Sequence, residues 1–247
     1  MPITYHEWGD PNVALRTAAA LGSDEVQVWL ARLPAAEAGM AGLTGLLGRD
    51  ERERAERYRA DEARQHFVFG RALLRLLLAA CLNVEPAALE FAYQPHGKPI
   101  LVFPHPEENP RFNLSHSGGL LAIALARGRD VGIDIESMGA EAPDWLPLAA
   151  RVFSPRELGE LTALPAPHLQ RRAFFTGWTR KEAYLKATGE GLIDALEAIE
   201  VTLTPGQAPA LLKLPASARP PREWSIRDIP MPPDFAGAVV YSSFITT

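Results

Sequence analysis

Residues 174–191, FFTGWTRKEAYLKATGEG, constrain this chain more than any other stretch. Trp178, Glu182 and Lys186 recur at successive i, i+4 positions, so in a helix they form one row along a single face. Ala173, Ala183, Tyr184, Leu185 and Ala187 favour that helix, and Gly189 and Gly191 are natural stop signals. A Glu–Lys pair at this spacing is ordinarily a weak ion pair on a solvated face. Two features argue against so plain a reading: the aromatic residues just upstream, and a second carboxylate cluster that the same face can meet.

That cluster lies at residues 131–136, VGIDIE. In a strand, Val131, Ile133 and Ile135 point towards a core, while Gly132, Asp134 and Glu136 point the other way. The rise of about 3.3 Å per residue sets the two carboxylates roughly 7 Å apart, close enough for both to reach one hard cation. Gly132 leaves room above the strand. The competing reading is a solvent-facing strand edge, on which two acids are unremarkable.

Residues 115–119, SHSGG, join short polar side chains, an imidazole and permissive backbone. Such a turn can present a hydroxyl, N–H groups and a protonated histidine to a phosphate. Ser115 and His116 are not a catalytic dyad, because neighbours on a strand point apart, and there is no Gly-x-Ser-x-Gly elbow. Lys98, in the Gly97-Lys98-Pro99 turn, is a further phosphate candidate, with a plain surface lysine as its competitor. Arg71 and Arg75 interrupt an apolar helix at i, i+4. They either reach an anion at the edge of the core or snorkel. No Walker A loop, GxGxxG or Cys/His metal spacing occurs.

The remaining segments set the fold class. Residues 25–33 alternate as an early strand, and a short helix within residues 35–47 is broken by glycines. Residues 49–64 are densely charged and precede an apolar helix at 67–82. Residues 89–93 read as a strand, 104–111 as a proline-rich loop, and 120–126 with 131–136 as an antiparallel hairpin. A helix over 144–152 precedes Ser154, whose partner Glu157 completes a capping box for a helix over 155–161. Strands at 197–204, 223–227 and 238–245 close the chain. The elements do not alternate strand with helix, so the expectation is α+β with mostly antiparallel sheets.

A chain of 247 residues can form one large domain or two of roughly 120 residues. Both halves place a long helix before strands, although no residue-level repeat is visible. With 47% apolar and 22% charged residues the composition is that of a globular protein. A net charge of -5 gives no ground for a nucleic-acid partner. The lone Cys81 can form no internal disulfide, residues 1–10 lack signal-peptide regions, and no uninterrupted apolar run approaches a membrane span. The expectation is a cytoplasmic protein with no membrane association.

GKP, FNLSHSGG, VGIDIE and WTRKEAYLKATGEGL, in that order and spacing, closely resemble the 4′-phosphopantetheinyl transferases of the long, surfactin-synthetase-activating type. The resemblance covers residues 64–192; the first fifty residues and the tail after Thr204 carry little of it. It implies a pseudo-dimer of two similar α+β halves with a cofactor cleft between them, here residues 1–128 on the coenzyme A side and 129–247 with the metal and catalytic helix. It implies transfer of the phosphopantetheine arm of coenzyme A onto a serine of an apo acyl or peptidyl carrier protein, the holo-[acyl-carrier-protein] synthase reaction, by a monomer.

Carried over by motif, Asp134, Glu136 and Glu182 hold Mg²⁺, with Mn²⁺ possible. Glu182, or in its place Glu136, is the base, and Lys186 serves the leaving adenosine bisphosphate. Lys181 touches the phosphates, Ser115 and His116 take the 3′-phosphate, and Lys98 and Pro99 sit at the adenine end. Arg71 and Arg54 match basic positions in the family's first helical region. Thr179 and Arg180 depart mildly from the pattern. Arg171, Arg172 and Arg180 are candidates for receiving an acidic carrier protein. Two alternatives stay open: a binding module for coenzyme A or carrier proteins without turnover, and a metal-dependent nucleotide phosphohydrolase.

Overall fold

The computed structural model describes residues 2–33, 42–103, 110–139, 145–189 and 196–243. The expected loop at 104–111, the first residue of the helix at 144–152, the stop at Gly191 and the end of the strand at 238–245 lie wholly or partly outside them, as does most of the short helix expected within 35–47. The chain forms two compact units. The first comprises Met1–Pro95, Pro99–Leu114 and Gly119–Gly128; the second comprises His96–Lys98, Ser115–Gly118 and Arg129–Thr247.

The first unit begins with β1 (Ile3–Glu7), α1 (Pro11–Ala19) and β2 (Val26–Arg32). It continues through α2 (Arg49–Glu56), α3 (Asp61–Leu82), β3 (Glu90–Tyr93), β4 (Pro99–Phe103), β5 (Arg111–Ser117) and β6 (Leu120–Ala126). β5 passes into the second unit at its last three residues. The sheet order is β1-β2-β6-β5, parallel between β1 and β2 and antiparallel between β2 and β6. All seven residues of β6 are buried. Trp29, Leu73, Leu77, Leu121, Ile123 and Leu125 form the core between sheet and α3. By length and composition alone α3 could cross a membrane, yet it is the core helix of this unit.

α3 also carries two buried arginines, and their partner is internal. Arg75 Nε lies 2.6 Å from Glu51 Oε2, and Arg71 Nε lies 3.2 Å from Glu51 Oε1. Arg75 Nη1 further donates to the carbonyls of Pro86 and Leu89. The anion these arginines reach is therefore a carboxylate of α2, and snorkelling is excluded. Unpaired, each charge would carry a large desolvation penalty.

The second unit holds β7 (Val131–Ser137), α4 (Leu146–Val152), α5 (Pro155–Thr162), α6 (Pro167–Thr188), β8 (Glu200–Val201), β9 (Leu211–Lys213), β10 (Trp224–Asp228) and β11 (Phe235–Ser242). Its main sheet is antiparallel in the order β10-β11-β7. The expected hairpin of β6 with β7 does not form, because β6 pairs with β2 and β7 with β11. The polar turn between them is where the chain leaves one unit for the other. Ser154 and Glu157 make the expected capping box at the start of α5. Gly189, with φ of 77°, ends α6 and returns its N–H to the Leu185 carbonyl. The described fold is α+β with mostly antiparallel pairing.

α6 lies directly on β7, and Gly132 determines how closely. A Cβ at this position would stand 2.1 Å from the Ala183 carbonyl oxygen and 2.2 Å from the Ala187 nitrogen. The room that Gly132 leaves is thus filled by helix backbone, not by a ligand. Ala183 and Ala187, small and buried, complete the close approach. Gly132→Ala is expected to cost about 3 kcal/mol or more in urea unfolding, since backbone must move. Gly159→Ala is the control: that site in α5 is open, and helix propensity predicts a gain of about 0.5–1 kcal/mol.

Candidate active site

Because α6 rides so close on β7, the row Trp178, Glu182, Lys186 faces the row Glu136, Asp134. All five belong to the second unit, as do Ser115 and Ser117. Lys186 Nζ lies 2.6 Å from Asp134 Oδ1 and 3.1 Å from Ser115 Oγ. At the other end of the row Trp178 hydrogen-bonds Glu136. Glu182 sits one turn from each. The ion pair of Lys186 is therefore with Asp134 across the helix–strand contact, not with Glu182 along the helix.

Asp134 is 3% exposed, which rules out a solvent-facing strand edge. The Ser115 hydroxyl donates to Asp134 Oδ1 at 2.9 Å, and the Ser117 hydroxyl donates to Glu136 Oε2 at 2.9 Å. Glu182 Oε1 and Asp134 Oδ2 are buried and have no hydrogen-bond partner. Burial pushes up the pKa of all three acids, and repulsion from neighbouring carboxylates adds to it for Glu136 and Glu182. For Asp134 burial dominates and the Lys186 ammonium opposes it. For Glu136 burial acts first and Asp134 adds to it. Glu182 is raised from 4.5 to about 7, chiefly by burial and then by Asp134.

Among the described residues, no group of three His, Cys, Asp or Glu side chains converges on a point where a metal ion could sit. The expected trio Asp134, Glu136 and Glu182 is coupled electrostatically but does not converge on one point. Its chemistry nevertheless fits a hard divalent cation. The donors are all carboxylate oxygens, two of them are buried without partners, and like charge is crowded where a cation would relieve it.

Several expected contacts fall elsewhere. Lys181 is fully buried, and its ammonium spends all three donors on the Val152 carbonyl, Glu157 Oε2 and the Leu196 carbonyl. It cannot reach a phosphate; it ties α6 to α5 and to the turn before β8. Ser115 does not stand open to a phosphate either, since its one hydroxyl proton is committed to Asp134. Arg71 is also a core cation. Besides Glu51 it binds the Tyr93 hydroxyl, and its guanidinium lies 5.1 Å from the Phe91 ring centroid. Its burial aims it at Glu51 and the aromatic rings instead of a phosphate.

Arg54 is exposed and lies over Phe67. Arg180 is 2% exposed and forms a bidentate pair with Asp228, so it is no part of a surface for carrier proteins. Arg171 and Arg172 are half-buried and donate to the carbonyls of Gly139 and Phe235. His116 is exposed at the end of β5, and Pro99 opens β4. Lys98 Nζ donates to the Ala187 carbonyl at 2.9 Å, at the last turn of α6. A cavity of about 230 Å³ lined by Arg172, Thr176, Arg180 and Asp228 adjoins the N-terminal half of α6, and none of the five facing residues lines it.

The profile of the 4′-phosphopantetheinyl transferase superfamily matches residues 130–240, and that of the 4′-phosphopantetheinyl transferase N-terminal region matches residues 34–127. The 4′-phosphopantetheinyl transferase HetI of a Nostoc species is 39% identical over 241 residues, covering 97% of this chain and 95% of the relative. The chain belongs to the 4′-phosphopantetheinyl transferase superfamily. Another member, the 4′-phosphopantetheinyl transferase of Bacillus subtilis, is 33% identical over 155 residues, or 62% of this chain and 65% of that one. The solved holo-[acyl-carrier-protein] synthase of Neisseria meningitidis aligns with 46% of this chain and 96% of its own, at 21% identity and a TM-score of 0.33.

In this family member two contacts were not assigned from the sequence, that of Ser117 with Glu136 and that of Glu157 with Lys181. Ser117 follows Ser115 by two residues, so the strand period puts both on one face, and that signal was available. Glu157 was read only as a cap, yet it also accepts from Lys181 and from the Val201 N–H.

The elevated pKa of Glu182 has a consequence for stability. Between about 4.5 and about 7 the folded state binds a proton that the unfolded state has released, so stability falls as pH rises through that window. In EDTA, Glu182→Gln should melt a few degrees above wild type at pH 8, and the gap should close by pH 4.5. Differential scanning calorimetry across pH checks this; a gap that does not vary with pH would contradict the assignment.

Proposed function

We propose that this transferase draws its group from coenzyme A and that Glu182 is the base that activates the carrier-protein serine. The observation that supports this choice is the contrast among the three acids. Asp134 has one oxygen committed to Lys186 and Ser115, and Glu136 has one committed to Ser117, whereas Glu182 has no ion-pair partner, keeps a buried oxygen without a hydrogen bond and, in the metal-free protein, has its pKa raised to about 7. An oxygen that no donor engages is the one available to take a proton.

In this reading Glu182 Oε1 accepts the proton of the serine hydroxyl, directly or through a water, as the serine oxygen attacks the phosphorus that carries the pantetheine arm. The bond to the adenosine 3′,5′-bisphosphate breaks, and that bisphosphate leaves with the electron pair. Lys186 spends two of its three N–H donors on Asp134 and Ser115, and the third can meet a phosphate oxygen on the leaving side. Asp134, Glu136 and Glu182 would hold Mg²⁺ or Mn²⁺, which would neutralise pyrophosphate oxygens and favour in-line displacement. His116, exposed beside Ser115, and Lys98, anchored on the end of α6, are the proposed contacts for the nucleotide phosphates.

The acceptor is an apo acyl or peptidyl carrier protein, as in the holo-[acyl-carrier-protein] synthase reaction. Incubation of such a carrier with coenzyme A, Mg²⁺ and this protein should add the mass of one phosphopantetheine group, read by intact mass spectrometry. Glu182→Gln should lower the transfer rate about 10²–10⁴-fold. Cleavage of coenzyme A without any carrier would favour a phosphohydrolase. Coenzyme A binding without transfer to several unrelated carriers would favour a binding module.

A further inference from the structure

Ser115 and Ser117 make the same pair of contacts two residues apart. The Ser115 hydroxyl donates to Asp134 Oδ1 and accepts from the Ile135 N–H at 3.4 Å. The Ser117 hydroxyl donates to Glu136 Oε2 and accepts from the Ser137 N–H at 3.0 Å. On β7 the N–H that each serine accepts from belongs to the residue after the carboxylate it serves. The period of two on both strands makes the repeat possible.

A serine hydroxyl has one proton to donate and two lone pairs. The proton of each serine goes to a carboxylate, and the backbone N–H fixes where the hydroxyl stands. For Ser115 the second lone pair accepts from Lys186, 3.1 Å away. Each hydroxyl is therefore anchored to backbone on one side and grips one carboxylate oxygen on the other. That grip restricts the torsion of the carboxylate while engaging only one of its two oxygens. For Asp134 the other oxygen, Oδ2, is the buried one without a partner.

We propose that Ser117, together with Ser115, is a positioning residue that presents Glu136 and Asp134 to the divalent cation. This rests on the reading of these carboxylates as cation ligands given above. The hydroxyls touch neither substrate nor cation; they restrict the carboxylates to the orientation that binds. Outer partners of this kind commonly govern metal affinity, because an unrestrained ligand must be ordered at the moment of binding.

The test is calorimetric titration of the full chain with MnCl₂ and with MgCl₂, without carrier protein. Ser117→Ala should weaken cation binding about 10-fold, whereas Ser117→Thr, which keeps the hydroxyl, should stay within about twofold of wild type. Ser117→Cys keeps the branching and, though slightly larger, donates only weakly, so its affinity should fall between the two and carry the comparison if the alanine variant does not fold. In EDTA, coenzyme A affinity should be the same in wild type and Ser117→Ala. Equal cation affinity in wild type, alanine and cysteine variants would overturn the proposal. So would a loss of coenzyme A affinity in EDTA, which would make Ser117 a substrate contact. A wild type that binds neither cation at millimolar concentration would instead overturn the cation reading itself, and the inference with it.

Discussion

The backbone approach of α6 to β7 at Gly132 is the constraint from which the site follows. No side chain can occupy that position, because its Cβ would overlap the Ala183 carbonyl and the Ala187 nitrogen. With the helix seated there, a row spaced by four on α6 and a row spaced by two on β7 become two sides of one contact. Trp178 meets Glu136, Lys186 meets Asp134, and Glu182 lies between. The sheet supports β7 through β11, and the buried Lys181–Glu157 pair ties α6 to α5. Position along the helix axis is thereby fixed from both sides, which a catalytic group displaced by an ångström would feel.

The charge balance explains how three acids coexist in so little water. Lys186 compensates one of them, and the neutral donors Ser115, Ser117 and Trp178 offset part of the desolvation of two. Glu182 receives only the indirect field of Lys186, and its pKa rises to about 7. An acid left uncompensated in a folded protein is a stability cost, and such costs concentrate where a protein must bind or react. The same arithmetic separates Lys186 from Lys181. Both follow glutamates or precede them on one helix, yet Lys181 is sealed by three internal acceptors and Lys186 keeps a donor to spare.

Local periodicity made much of this legible in the sequence. The spacing of Trp178, Glu182 and Lys186, the alternation at Val131–Ser137 and the Ser154 cap all appear in the structure where chemistry requires them. What periodicity could not supply was the partner of each charge. Arg71, Lys181 and Arg180 read as cations for phosphates or a carrier protein, but Glu51, Glu157 and Asp228 reach them from 20, 24 and 48 residues away. The hairpin of β6 and β7 failed for a related reason. Short range favoured pairing across the polar turn, while the fully buried β6 found a better neighbour in β2. Gly132 was recognised as space, but only the fold shows that backbone fills it.

The central claim is that Glu182 is the acid left uncommitted in this contact. Carbon-13 NMR titration of side-chain carboxyls in the metal-free protein, with the Glu182 resonance assigned by its loss in Glu182→Gln, addresses it directly. The account predicts an apparent pKa near 7 for that resonance. A value at the ordinary 4.5 would mean that Glu182 is solvated or paired, and would contradict its selection as the base.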